Sequence, residues 1–170
     1  PSSPLGANGT LLTPGTSVMI DMSGNYTAYQ TDMTRVYAIG KLPEKAYKAH
    51  ETSRQIQEKI IGMARPGTPC SQIYKIAEEI AVQAGLSANF MGTRQKAKFV
   101  GHGVGLQINE PPVLTPRSVE ILSPGMTFAL EPKFVIPGTG AVGIENTFLV
   151  TENGLEKITR FPEDIVELTK

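Results

Sequence analysis

The sequence is poor in the features that mark several common classes of protein. Its 170 residues contain one cysteine and no tryptophan, and 16 basic residues balance 16 acidic ones. A single cysteine, Cys70, excludes an internal disulfide and fits a reducing compartment, so we expect a structural thiol in a cytoplasmic protein. Zero net charge is not the basic footprint of a nucleic-acid-binding protein. No apolar run reaches the ~18–20 residues of a membrane span, so no membrane partner is expected.

Local patterns predict both strands and helices. A chain of this length suggests one domain covering residues 1–170, or a large part of one. Since it opens at Pro1 without an initiator methionine, we expect that an upstream portion is missing. Strands are predicted at Val18–Ser23, at Tyr26–Ile39 after a Gly24-Asn25 turn, and at Met126–Ile136, Ala141–Thr151 and Leu155–Thr159; helices are predicted from Pro43 to about Met63 and, with Thr68 as cap, from Pro69 to about Ala84.

The chain has only two histidines, and their surroundings differ. His102 lies between Gly101 and Gly103 in the stretch FVGHGVGLQINEPPVL. Flanking glycines let a backbone come close to a neighbour, and a ligand or metal ion is a frequent one. Taken alone, this stretch is better described as a glycine-rich bend with a surface histidine. His50 lies among charged residues of the first predicted helix, so we expect it to be exposed and without a catalytic role.

Four carboxylates lie on the predicted strands, before and after His102. Asp is a poor strand residue, yet Asp21 and Asp32 both occupy the first predicted hairpin, and Glu131 and Glu145 occupy the next two strands. A buried carboxylate is costly unless it is paired or binds a metal ion. Carboxylates with one imidazole suit Mn, Co, Fe or Zn. Five ligands are too many for one catalytic ion with an open position but suit two ions that share bridging carboxylates.

Four segments together resemble the motifs of the creatinase/prolidase/methionine aminopeptidase superfamily. They are IDMSGNYTAYQTDMTRVY, VGHGVGLQINEPP, FALEPKF and VGIENTFLVTENG, in the order of the family. The interval of 11 positions from Asp21 to Asp32 matches, and the 14 positions from Glu131 to Glu145 are those of the prolidase and Xaa-Pro aminopeptidase-like branch. The resemblance implies an α+β pita-bread fold, truncated at its N-terminal side. The chain would then be the C-terminal part of a longer pita-bread protein.

The resemblance also implies a role for each ligand residue. Asp21 would bind one of two divalent ions, and His102 and Glu131 the other, with Asp32 and Glu145 bridging them. A metal-bridging hydroxide would be the nucleophile because two cations lower the pKa of the shared water. Glu131 would also be catalytic, taking a proton from this water and passing it to the leaving amine.

Three positions depart from the pattern of the family's peptidases. Those enzymes have a second histidine seven residues after the metal-binding one, where this chain has Asn109. They have a histidine upstream of the first aspartate, usually after a proline, where Leu5 follows Pro4. Prolidase-like members often have an arginine two residues before the last glutamate, where this chain has Gly143. Asn109 can still donate a hydrogen bond to an oxyanion, so we expect a catalytic role for it, but it cannot carry a proton.

These observations favour a dinuclear metal-dependent hydrolase that resembles Xaa-Pro dipeptidase or aminopeptidase P and cleaves an amide bond next to proline. One alternative keeps the fold and the metal ions but acts on a non-peptide substrate, by creatinase-like C–N hydrolysis or a lyase reaction. Another is a non-catalytic binding homologue. We expect the protein to be a homodimer. Its expected substrate is a small peptide or another small molecule.

Overall fold

The computed structural model describes residue 9 and residues 11–168. Two helices and ten strands lie in this part of the chain. The helices are α1 (Glu44–Met63) and α2 (Cys70–Gln83), and the strands are β1 (Thr16–Tyr26), β2 (Tyr29–Ile39), β3 (Gly101–Gly103), β4 (Glu110–Val113), β5 (Thr127–Leu130), β6 (Lys133–Ile136), β7 (Gly140–Gly143), β8 (Asn146–Thr151), β9 (Gly154–Lys157) and β10 (Val166–Leu168).

The first two strands form a long antiparallel hairpin. Their register pairs every residue from Thr16 opposite Ile39 to Tyr26 opposite Tyr29. The predicted turn at Gly24-Asn25 is wrong, because these residues continue the ladder and the chain reverses at Thr27 and Ala28, whose φ angles are 48° and 71°. A two-residue hairpin loop of this kind needs positive φ at both central positions. The sequence signal for it, a glycine or asparagine, lies three residues too early.

The main sheet has five antiparallel strands, in the order β4-β3-β5-β8-β9. Two segments predicted as continuous strands are each split in two. Met126–Ile136 is interrupted at Glu131-Pro132, where proline has no N–H to give to a ladder. Ala141–Thr151 is interrupted at Ile144-Glu145. The outer halves, β6 and β7, pair with each other as a separate ribbon, so both glutamates lie at strand breaks.

A short strand, β10, extends the β1–β2 hairpin into a three-stranded sheet. β10 pairs in parallel with β2, which gives the order β1-β2-β10. It was not predicted, since three residues are too few for an alternating pattern. Gly40 donates a 3.0 Å hydrogen bond to the carbonyl of Leu168 and fixes the end of this pairing.

Both helices bury an apolar face against the strands. Ile56 and Ile60 of α1 and Ile73 of α2 are fully buried in one hydrophobic core with Phe128 and Phe134. Burial of each such side chain stabilises the fold by ~1.5–3 kcal/mol. Among the described residues, neither helix is long and apolar enough to cross a membrane.

The predicted cap of α2 is wrong. The helix begins at Cys70, and the Thr68 hydroxyl accepts a 3.0 Å hydrogen bond from the Arg65 N–H instead of capping it. Cys70 is buried, and burial raises the pKa of its thiol to about 11, as expected of a structural cysteine. Gly85, at φ 72°, follows the end of the helix as predicted.

The predicted exposure of His50 is also wrong. Only 4% of its surface is exposed, and its Nε2 lies 2.7 Å from the main-chain oxygen of Glu163. It follows Ala46 by four positions and precedes Ser53 by three, so it belongs to the buried stripe of α1. Burial lowers the pKa of the imidazole. His50 is therefore a core residue that ties α1 to the segment before β10.

Candidate metal centre

The hairpin register brings the two aspartates onto one face. Asp21 is opposite Thr34, and Asp32 is opposite Ser23, so the aspartates are diagonal neighbours across the ladder. This geometry explains the interval of 11 positions between them. Asp32 is buried, whereas Asp21 is exposed, contrary to the expectation of a buried pair. The charge of Asp21 nevertheless reaches Asp32, since it contributes to the raised pKa of that carboxyl.

His102 enters the site from an inner strand of the main sheet, next to the edge strand β4. It is the middle residue of β3, between Ala129 of β5 and Val113 of β4. A Cβ on Gly101 would overlap the main-chain oxygen of Ala129, and one on Gly103 would overlap the oxygen of Pro111. The two glycines thus make room for the neighbouring strands. The prediction that they make room for a ligand or metal ion is wrong. Their effect is to seat a buried imidazole between two strands.

Three carboxylates surround this imidazole. His102 Nε2 lies 3.5 Å from Glu131 Oε1 and 3.7 Å from Asp32 Oδ2. One ligand atom from each of Asp32, His102 and Glu145 lies within 4.8 Å of the other two. All four side chains belong to residues that are at least nine-tenths buried. The structure therefore brings four of the five predicted ligands together, with Asp21 at the exposed side.

Glu145 is fixed through both its side chain and its main chain. Its Oε2 accepts a 2.5 Å hydrogen bond from the Thr34 hydroxyl, and its N–H donates to the Thr34 carbonyl at 3.3 Å. Its own carbonyl accepts a 2.8 Å hydrogen bond from Arg35 Nη1. These contacts join the break between β7 and β8 to strand β2. They hold the Glu145 carboxylate beside that of Asp32.

The cluster carries more negative charge than its protein partners neutralise. Burial, the charge of Asp21 and the charge of Glu131 raise the pKa of Asp32 to about 6, although His102 acts in the opposite direction. Burial and the charges of Glu131 and Asp32 raise the pKa of Glu145 well above its usual range. Buried like charges of this kind are stabilised by a cation. Carboxylate oxygens with one imidazole nitrogen are donors for a borderline divalent ion, so the residues fit such a group.

Asn109 faces an apolar cavity beside the cluster. The cavity has a volume of about 240 Å³ and is lined by Phe99, His102, Asn109, Glu110, Pro111 and Val113. The Phe99 and His102 rings meet edge to face with centroids 6.4 Å apart. A small apolar group in this cavity would lie against the imidazole and within reach of the Asn109 amide.

The other two departures from the peptidase pattern lie elsewhere. Leu5 falls outside the described residues. Gly143 has φ 145°, and a Cβ there would lie 2.5 Å from the oxygen of Pro132 and 2.8 Å from the Cα of Lys133. An arginine cannot occupy position 143 unless the β6–β7 ribbon shifts. This backbone conformation therefore requires glycine at position 143, and the residue is not simply an arginine that has been lost.

Two cations beside the cluster were missed from the sequence. Arg35 is fully buried behind Glu145, and the Lys133 ammonium forms an ion pair with Glu131 Oε2. Arg35 follows the TDMT segment directly, and Lys133 is two residues after Glu131. Both lie inside the motifs, but nothing in the motif spacing indicates that their side chains turn inward. The order of motifs predicts the side chains that converge, and not the groups that hold them.

Comparison with known proteins agrees with this geometry. The chain matches metallopeptidase family M24 over residues 2–152. The chain belongs to this family. It is 33% identical over 152 residues to a Xaa-Pro dipeptidase of Pyrococcus furiosus, a match that covers 89% of this chain and 42% of that protein. It thus spans less than half the length of this relative.

Solved structures show that the family's pita-bread fold is present. An X-Pro aminopeptidase from Thermotoga maritima superimposes with a TM-score of 0.82 at 26% identity, over 91% of this chain and 42% of that one. A dipeptidase from Pyrococcus horikoshii gives the same TM-score and coverage at 30% identity. The predicted α+β pita-bread class is confirmed, and the family resemblance read from the four motifs is confirmed with it.

Proposed function

We propose that this chain carries a dinuclear metal centre and hydrolyses the amide bond next to proline in small peptides. The observation that carries the proposal is the buried convergence of Asp32, His102 and Glu145, whose ligand atoms lie within 4.8 Å of one another. The raised pKa values of Asp32 and Glu145 support it, because burial and neighbouring carboxylates disfavour their charged forms, which a bound cation would stabilise. The M24 membership supports a hydrolase, and the matched relatives carry dipeptidase and aminopeptidase names.

Each of the five residues has a place in this proposal. His102 and Glu131 would hold one ion, Asp21 the other, and Asp32 and Glu145 would be shared by both. Two divalent ions, of Mn, Co, Fe or Zn, would supply a water of lowered pKa and polarise the carbonyl of the substrate. The hairpin supports this division, since it places Asp32 between Asp21 and His102.

Glu131 and Asn109 would carry the remaining chemistry. Glu131 would take a proton from the attacking water and pass it to the leaving amine, a task that needs one carboxylate oxygen free of the ions. Asn109 would donate a hydrogen bond to the developing oxyanion. The cavity beside His102 supports this role, since it brings the amide of Asn109 next to the cluster.

A non-peptide substrate is the second candidate, and Asn109 favours it. An amide cannot carry the proton that an imidazole would at this position. Gly143 also favours a non-peptide substrate, because the backbone there excludes the arginine of the prolidase-like pattern. Creatinase-like C–N hydrolysis or a lyase reaction does not need these peptidase groups. A binding homologue without turnover is the remaining outcome of the test.

The test is hydrolysis of Xaa-Pro dipeptides by protein loaded in turn with Mn, Co, Fe and Zn, against matched dipeptides without proline. We expect proline-dependent cleavage that chelation abolishes. Glu131→Gln is expected to abolish cleavage while at least one ion still binds, because the amide keeps a ligand oxygen but accepts no proton. Glu156→Gln, at an exposed position on β9, is the control and should cleave normally. Metal binding without proline-dependent cleavage would favour the second candidate.

We further propose that residues 1–170 form one catalytic-type domain, working as a homodimer in the cytoplasm. The single shared core that joins both helices to the main sheet supports one domain. The lone buried cysteine suits a reducing compartment. Light scattering on the purified chain tests the dimer.

A further inference from the structure

Lys133 places an ammonium group at the edge of the carboxylate cluster. It is the first residue of β6, directly after the strand break at Glu131-Pro132. Its Nζ pairs with Glu131 Oε2, while Glu131 Oε1 faces His102 Nε2 at 3.5 Å. An ammonium has three donors, and in the described part of the chain this ion pair is its one polar contact. Since 28% of the Lys133 side chain is exposed, a ligand that enters from solvent can reach it.

The positive charge of Lys133 lies opposite the position where the prolidase-like pattern has arginine. Lys133 pairs with Gly143 across the β6–β7 ribbon. A Cβ at Gly143 would lie 2.8 Å from the Lys133 Cα and 3.1 Å from its Cβ, so a side chain there would collide with the stem of the lysine. This chain has the lysine on β6 and the glycine on β7. The positive charge is therefore moved to the facing strand and is not lost from the site.

Arg35, the other cation beside the cluster, is already committed. Its guanidinium donates to four main-chain oxygens and to the side-chain oxygen of Asn146. The cavity beside His102 has no lysine or arginine among its described lining residues. In the proposed centre, four carboxylates and two divalent ions balance in charge, so the ammonium of Lys133 is left to attract a further anion.

We propose that Lys133 binds a carboxylate on the leaving group of the substrate, and so selects dipeptides over longer peptides. This rests on the proposed function, in which Glu131 passes a proton to the leaving nitrogen. In an Xaa-Pro dipeptide that nitrogen belongs to the proline ring, and the adjacent ring carbon carries the free carboxylate. Lys133 bonds to the same Glu131, which places its ammonium on the side of the leaving group. In a longer peptide an uncharged amide replaces this carboxylate and cannot form the ion pair.

Calorimetric titration of the Mn²⁺-loaded protein with N-acetyl-L-proline and with its uncharged amide tests this inference. We expect the wild type to bind the acid about tenfold or more tightly than the amide, the effect of one charge-assisted hydrogen bond. Lys133→Met, with its Mn²⁺ content measured first, should bind both equally. Lys133→Arg keeps the charge and should keep the preference. Lys75→Met removes an exposed lysine of α2 and should bind like the wild type.

Several outcomes overturn the inference. Equal binding of acid and amide by the wild type, or no binding of either, would do so without any variant, which matters if Lys133→Met fails to fold. A preference for the acid that survives in Lys133→Met would show that another group holds the carboxylate.

Peptide cleavage separates this inference from the proposed function. If the acid binds through Lys133 but no Xaa-Pro peptide is cleaved, the proposed hydrolase function fails and the carboxylate site stands. If the wild type cleaves Ala-Pro and Ala-Pro amide with equal kcat/KM, the hydrolase function stands and the role of Lys133 fails.

Discussion

Arg35 holds the main chain of Glu145. Its Nη1 donates a 2.8 Å hydrogen bond to the carbonyl of Glu145, while the adjacent Thr34 donates 2.5 Å to the carboxylate of the same residue. Two consecutive residues of β2 thus fix both ends of a ligand that lies at a strand break. Arg35 is also fully buried, so its charge has been removed from water. The position of the last proposed ligand therefore depends on a residue that binds no metal.

Replacing this arginine by lysine should cost stability although the charge is kept. Five hydrogen bonds from a rigid guanidinium cannot be reproduced by a single ammonium, and the buried acceptors are left unpaired. We expect Arg35→Lys to lower the free energy of unfolding by ~3 kcal/mol, measured by urea denaturation. Arg160→Lys, at an exposed position, is the matched control and should stay within ~0.5 kcal/mol of the wild type. Equal stability of the two variants would contradict this account of Glu145.

Gly143 should tolerate no side chain. A Cβ would approach the oxygen of Pro132 to 2.5 Å at a φ of 145°, so both space and backbone conformation oppose it. Gly143→Ala is expected to lower the free energy of unfolding by at least ~2 kcal/mol. Gly62→Ala, in α1 where nothing lies within 4 Å, should instead raise it by ~0.5–1 kcal/mol. Thermal and urea unfolding of the pair decide the matter, and a harmless Gly143→Ala would show that the ribbon is free to shift.

The raised pKa of Asp32 predicts a particular dependence of stability on pH. This carboxyl has a pKa of about 6 in the folded chain against an ordinary value of 3.8. Between these values the folded state holds more protons than the unfolded state, so the contribution of Asp32 to stability falls as the pH rises from about 4 to about 6. Metal-free wild type should therefore lose stability over this range relative to Asp32→Asn.

The comparison with Asp32→Asn matters because His50 acts in the opposite direction. Burial lowers the pKa of His50, so its contribution is lost as the pH falls below its ordinary value of 6.5. The difference in unfolding free energy between wild type and Asp32→Asn removes this contribution, since both proteins contain His50. A difference that does not change with pH would contradict the buried, repelled state of Asp32.

Asn109→His tests whether the site is that of a peptidase. An imidazole at the cavity wall would restore a group that both donates a hydrogen bond and carries a proton. If the chain is an Xaa-Pro hydrolase, its kcat/KM on such dipeptides should rise about 10²-fold. Asn153→His, in an exposed turn, should have no effect. An Asn109→His variant that gains nothing on peptides would instead favour a non-peptide substrate.

The sequence predicted which side chains converge better than it predicted the groups that support them. The interval between Asp21 and Asp32 has a simple cause, since the hairpin register makes them diagonal neighbours on one face. The strand breaks at Glu131 and Glu145 were missed because apolar residues continue on both sides of each break. His50 was misjudged because its immediate neighbours are charged, although its helical spacing to Ala46 places it inside.

Long side chains were the least predictable part of the site. Arg35 and Lys133 are ordinary surface residues by type, and each can extend in several directions from a strand. Their burial is decided by distant contacts, such as those of Arg35 with the carbonyls of Phe161 and Pro162. No local pattern holds this information. Tertiary structure is needed to see which cations enter the cluster.

The most direct test of the metal centre is anomalous X-ray scattering from crystals of the chain grown with Mn²⁺. The account predicts two Mn²⁺ peaks, one bonded to His102 and Glu131 and one bonded to Asp21. Asp32 and Glu145 should contact both, at ligand distances of about 2.0–2.6 Å. Peaks found only away from these side chains, or no peak within bonding distance of His102 at saturating Mn²⁺, would contradict it.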